Sequence, residues 1–168
     1  MLARFDRGTG RPLLEYHEAL LRGESPFTIA EREIMAAYVS RLNSCDYCAG
    51  AHTALAKLFG VSEELLDALT DDLDTANIDA KMRPVLRYIR KLTQTPARMT
   101  QDDADAVFAA GWDESALYDA VQVCCLYNFM NRFTDGLGLV ADPDQFDAEA
   151  KRIRASGYAA AIEAFGLK

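Results

Sequence analysis

The chain has 168 residues, 50% of them hydrophobic and 26% charged, with a net charge of −8 and a pI near 4.7. That length suits one domain able to bury a core without disulfide or metal staples, and the composition excludes a disordered tail. The acidity, with no basic cluster, argues against nucleic acid or an anionic membrane as partner, because phosphate binding needs a basic footprint.

The N-terminal stretch MLARFDRGTGRPLLEYHEALLRGESP carries Glu15 and Glu18 inside its most apolar part and lacks the continuous apolar core of a signal peptide. No apolar run approaches the roughly 18–20 residues of a membrane span. The expectation is a soluble, cytoplasmic protein with no membrane partner. Its four cysteines then read as catalytic, metal-binding or core thiols rather than a disulfide framework.

In chain order, the pattern predicts helix throughout, an all-α class. Thr28-Ile29-Ala30-Glu31 matches a capping box, and Ile34, Met35, Tyr38, Val39 and Leu42 recur at helical spacing behind it. Asn43-Ser44 breaks that helix, and Ser44 is placed to cap a second one over 45–59, ended by Gly60. Ser62 starts a short helix with early acids. A further helix covers about 79–95, with Pro84 in its early turns and Pro96 closing it. Thr100 caps a segment that Gly111 ends. The longest helix, about 113–138, is apolar around most of its circumference, the mark of a central or interface helix, and so predicts a homo-oligomer. Pro143 and Gly157 precede two last helices.

Chemistry concentrates at Cys45-Asp46-Tyr47-Cys48, a C-x-x-C, with His52 four residues beyond Cys48. Residues three and four apart share a helix face, so Cys45, Cys48 and His52 form one stripe near an electropositive helix N-terminus. An adjacent histidine and that N-terminus would depress the cysteine pKa values. Helical spacing is wider than a disulfide prefers, which favours a labile bridge between the two. Two rival readings are a pair of buried core cysteines and a zinc site. Zinc needs four ligands; the stripe supplies three, and the only other histidine, His17, is distant in sequence. A redox-active dithiol is favoured.

The acid that orients His52 is either of two. Glu31 lies on the apolar stripe of its helix and so points inward by periodicity. Glu33 lies with Ala36, Ala37 and Ser40, small residues that let another helix come close. Cys124 and Cys125 read as core residues of the long helix, and His17 as a surface or interface residue. Asn128, Asn131, Arg132 and Asp135 read as structural hydrogen bonding or an ion pair at a subunit contact, and Trp112 as packing at a helix junction.

Glu33-(x11)-Cys45-x-x-Cys48-x-x-x-His52, within EREIMAAYVSRLNSCDYCAGAHTALAKLFGV, resembles the alkylhydroperoxidase D family of the carboxymuconolactone decarboxylase-like superfamily. YNFMNRFTDGLGL is similar to a segment of that family's "peroxidase-related" branch. The resemblance covers about 25–140 of a single domain spanning 1–168. It implies a multi-helix bundle with the C-x-x-C at the N-terminus of a central helix, a homo-oligomer, and a thiol peroxidase without haem, metal or other bound cofactor. By the same resemblance Cys48 is the peroxidatic thiolate, Cys45 the resolving cysteine, His52 the base, and Glu33 rather than Glu31 the acid holding it. The implied partners are a small-molecule peroxide and an external dithiol reductant, which would attack at Cys45, the more N-terminal and more exposed sulfur. The best-studied branch has a second histidine where this chain has Tyr47, whose phenol, with a pKa of about 10, is no base near neutrality. The alternatives are a redox-sensing or binding oligomer without rapid turnover, and a decarboxylase or lactone-processing enzyme of the same superfamily.

Overall fold

The computed structural model describes residues 6–164, 166 and 167, so the ends of the expected 1–168 domain, and residue 165, lie outside the described residues. Among these the chain is helical: α1 (Gly10–Arg22), α2 (Ile29–Leu42), α3 (Asp46–Leu58), α4 (Glu63–Asp71), α5 (Met82–Gln94), α6 (Gln101–Ala109), α7 (Glu114–Gly136), α8 (Pro143–Ser156) and α9 (Ala159–Ala164). One 3₁₀ turn, Pro96–Arg98, links α5 to α6. The all-α class is as the sequence predicts. No helix among the described residues is long and apolar enough to cross a membrane.

Helix starts follow local chemistry. The Thr28 hydroxyl accepts the Glu31 N–H at 3.2 Å while the Glu31 carboxylate accepts the Thr28 N–H at 2.7 Å, closing the capping box. Ser62 caps α4 through the Leu65 N–H, and Asp113 caps α7 through the Ala116 N–H. Gly60 and Gly111 take positive φ, +88° and +89°, beyond the ends of α3 and α6. The α5 start falls at Met82 rather than near 79, because Asp79 makes a turn of its own: its carboxylate and carbonyl accept the Lys81 and Met82 N–H groups.

The centre is α2. Every residue from Arg32 to Ser40 is buried, and α3, α7, α5, α4 and α1 all pack against it. The long α7 buries Ala116, Ala120, Val123, Leu126 and Tyr127 but leaves Tyr118 and Phe129 65% and 51% exposed. An all-round apolar sequence therefore marks a helix with one face in the core and one open. Trp112 packs at a junction as expected, its indole N–H donating to the Lys81 carbonyl at 2.8 Å and its ring 4.4 Å from that of Phe27.

Ser44 does not cap α3. It adopts φ +56°, and its N–H and that of Cys45 return to the Arg41 and Ser40 carbonyls, both at 3.0 Å, to close α2. Cys45, in extended conformation, becomes the N-cap residue, and Cys48 sits in the first turn of α3. The helix then packs against α8 at Gly50, where any Cβ would run into the Phe146 ring.

Candidate active site

Both cysteine sulfurs meet one hydroxyl. Thr134 Oγ1 on α7 lies 3.2 Å from Cys45 Sγ and 3.4 Å from Cys48 Sγ. That hydroxyl also donates within its own helix, to the Met130 or Asn131 carbonyl at 3.0 and 3.1 Å. Its single proton goes to a carbonyl while it accepts from neutral thiols, and is free to turn to the Cys48 sulfur when that sulfur ionises. Because Cys45 lies outside the helix, the two residues escape the ordinary i, i+3 helical spacing on which the distorted-bridge expectation rested. All four cysteines are free thiols.

Burial pushes the Cys48 thiol up to about 12, against the opposing pull of Thr134 and Asn131. This reverses the expected depression: a sulfur 5% exposed loses the hydration a thiolate needs, and a hydroxyl, an amide and a second thiol do not replace it. Cys45, expected as the more exposed sulfur, is the fully buried one. It is Cys48 that faces a cavity.

Glu33 settles the choice of acid. Its Oε2 accepts from His52 Nδ1 at 2.7 Å, and its Oε1 pairs with Arg22 at 2.6 Å. Burial alone would raise the Glu33 carboxyl, but His52 and Arg22 outweigh it and hold it below its usual range. Nδ1 carries the proton shared with the carboxylate, so Nε2 is the nitrogen left to exchange one. The His52 ring stands edge-on to Tyr127 at 4.4 Å. Glu31 stays at the capping box. Periodicity misjudged the pair because α2 has no solvent side, and all its faces count as inward.

Cys48 and His52 line one cavity of about 390 Å³ between α1, α3, α7 and α8. Leu13, Leu55, Met130 and Ile153 supply much of its apolar wall, and Tyr47 joins the rim with its ring against Phe146. His17 is here as well. It is 4% exposed rather than at the surface, its Nδ1 donating to the Leu13 carbonyl at 2.7 Å, so both histidines of the chain reach the same space.

The carboxymuconolactone decarboxylase family model matches residues 8–91, half of the chain, including both histidines, Arg22, Glu33 and the two C-x-x-C cysteines. The chain belongs to this family. Two solved structures share its fold. An uncharacterized peroxidase-related protein from Silicibacter sp. TM1040 is 26% identical, with a TM-score of 0.74 over 79% of this chain and 70% of that one. An alkylhydroperoxidase AhpD core protein, also an uncharacterized peroxidase-related protein, from Ralstonia eutropha JMP134 is 23% identical, with a TM-score of 0.75 over 82% and 72%. No curated protein matches the sequence.

In this carboxymuconolactone decarboxylase family member, the polar run of α7 is structural. Asn43 donates to Asn128 and Asn131 at 3.1 and 2.8 Å, and Asn131 donates to Ser40 at 2.9 Å, pinning the α2–α3 turn that carries Cys45. Arg132 donates to Asn128, and Asp135 is exposed. Cys124 is buried as expected, and burial pushes its thiol up to about 11. Cys125 is exposed, contrary to expectation, because its neighbour takes the inward side of α7. Among the described residues no group of three His, Cys, Asp or Glu side chains is arranged to hold a metal ion. Sequence reasoning missed Arg22, Thr134 and the burial of His17. Only Arg22 had a signal, a lone cation at a helix end.

Proposed function

We propose that this protein is a thiol-dependent alkyl hydroperoxide reductase working through Cys45 and Cys48. The observation that carries the reading is the shared Thr134 hydroxyl: two free thiols converge on one atom, with one of them on an apolar cavity beside a histidine held by a buried carboxylate. A thiol pushed to about 12 is protonated near neutrality, so attack on a peroxide requires a local base. His52 Nε2 takes the Cys48 proton while Glu33 and Arg22 hold the ring and balance the charge. The thiolate attacks the terminal peroxide oxygen, the O–O bond breaks, and the departing alkoxide takes the proton back from His52. Cys48 is left as a sulfenic acid, which the Cys45 thiol displaces to give a disulfide and water. An external dithiol reduces the disulfide, returning both thiols and leaving as a disulfide itself. Since Cys48 is the cavity-facing sulfur, a reductant entering by the cavity meets it first.

Mass spectrometry of the thiols before and after one equivalent of cumene hydroperoxide tests this. A Cys45–Cys48 disulfide is expected, and in Cys45→Ser protein a dimedone-trapped sulfenic acid at Cys48. Two free thiols after exposure would refute the reading. The high Cys48 value favours one competing reading, a redox-responsive oligomer without rapid turnover. Stopped-flow peroxide consumption with excess dithiol separates the two, by many turnovers or by one. Decarboxylase or lactone chemistry has no use for a dithiol, and such activity surviving Cys48→Ser would favour it.

A further inference from the structure

His17 is a buried imidazole that the thiol mechanism leaves unused. It stands in the middle of α1, 4% exposed, and lines the same cavity as Cys48 and His52. Its tautomer follows from its partner. A carbonyl only accepts, so the 2.7 Å contact to Leu13 O puts the proton on Nδ1 and leaves Nε2 a bare acceptor. Among the described residues no hydrogen bond occupies Nε2. Tyr158 at 5.5 Å and Tyr127 at 6.2 Å confine the ring. Burial pushes its pKa down to about 4, outweighing the Leu13 carbonyl, so the ring is neutral at ordinary pH.

A neutral acceptor in an apolar chamber suits one class of guest: an apolar body carrying an O–H donor. A hydrated anion would leave its charge uncompensated there, whereas a hydroxyl or hydroperoxyl group satisfies the nitrogen and buries its hydrocarbon against Leu13, Leu55, Met130 and Ile153.

We infer that His17 Nε2 accepts the O–H of an organic hydroperoxide in this cavity, holding its terminal oxygen for Cys48 and selecting bulky apolar peroxides over hydrogen peroxide. This rests on the peroxidase reading, and deepens it by naming the residue that reads the substrate. His17 takes no proton. The O–H it holds passes with its oxygen onto sulfur as the sulfenic acid.

The test uses 2-phenylpropan-2-ol, the alcohol product of cumene hydroperoxide, which keeps the apolar body and the O–H and cannot oxidise a thiol. Calorimetric titration of the reduced protein should show binding, weakened roughly five- to tenfold in His17→Leu, the worth of one neutral hydrogen bond, and largely recovered in His17→Gln, which keeps an acceptor. With cumene hydroperoxide the His17→Leu loss should fall on KM rather than kcat, and the preference over hydrogen peroxide should shrink. In unsubstituted ¹⁵N-histidine protein the alcohol should move the His17 Nε2 resonance, a readout that survives misfolding of either variant. No binding by the wild type, equal loss in Leu and Gln, undiminished binding in Leu, or an unmoved Nε2 resonance would each overturn the inference. Alcohol binding through His17 with no peroxide reduction would sink the peroxidase reading and leave the site. Peroxide reduction indifferent to His17 would do the opposite.

Discussion

Glu33 is a carboxylate with no exposure, held between a histidine and an arginine, and its consequences are local and chemical. Replacing it by Gln leaves Arg22 buried beside a neutral group, at a cost of roughly 3 kcal/mol, and weakens His52 as an acceptor. The expected outcome is a lower Tm together with roughly tenfold slower Cys48 oxidation by cumene hydroperoxide near neutrality, since the base loses the carboxylate that orients it. Glu31→Gln keeps a capping-box side chain and should leave the oxidation rate unchanged. Stopped-flow measurement on Cys45→Ser protein checks both; an effect of Glu31→Gln matching that of Glu33→Gln would refute the relay. The buried Cys48 thiol makes a second statement at this scale. Its alkylation by iodoacetamide should climb steadily with pH through the neutral and mildly alkaline range, without the early plateau of an activated cysteine. Thr134→Val removes the hydroxyl that lowers the Cys48 value, so it should slow alkylation further at every pH.

At the scale of elements, the site depends on how closely α3 can lie against its neighbours. Gly50 has no room for a methyl group because the Phe146 ring of α8 occupies it. Gly50→Ala must push α8 away or turn the ring, and that ring also packs against Tyr47 at the cavity rim. Overpacking of this kind costs about 1–3 kcal/mol, which thermal denaturation would record. Phe146→Ala in the same chain should recover part of the loss, whereas purely additive effects would show that the two do not share the strain. The Asn43, Asn128, Asn131 and Ser40 bonds act in the same way on the other side, fastening the turn that makes Cys45 an N-cap residue.

The whole molecule carries its titration behaviour in its buried groups. His17 folds with a value near 4, below its ordinary 6.5. Protons therefore bind the unfolded chain first, and stability is fully present above the ordinary value and lost as pH falls towards 4, by about 3 kcal/mol over that interval. Denaturant midpoints measured at stepwise lower pH should fall, less steeply in His17→Gln. At the alkaline end the sign reverses in origin but not in outcome. Unfolded thiols ionise from about pH 8.5, while Cys48 and Cys124 stay protonated to about 12 and 11, so stability is lost as pH rises through that window. The exposed side of α7, with Tyr118 and the stacked Phe129 and Phe133 rings, leads us to expect a homo-oligomer. Light scattering at micromolar concentration returning 18.6 kDa, the mass of one chain, would refute that.

The sequence by itself determined what local chemistry decides. Helix class, the capping box at Thr28, the Ser62 start and the Gly60 and Gly111 stops all depend on neighbours within a few residues. The Cys45, Cys48 and His52 cluster was legible for the same reason, as was the family through its spacing. What only the tertiary structure decided are the properties set by surroundings. Periodicity pointed to Glu31 instead of Glu33, since burial on every side of α2 erases the amphipathic signal on which it relies. The direction of the Cys48 shift came from desolvation in the packed core, which outweighed the hydrogen bonds of Thr134 and Asn131 on a helix distant in sequence. Arg22, Thr134 and His17 reach the site from α1 and α7 across gaps that no local pattern spans, and their roles appear only once those helices are packed.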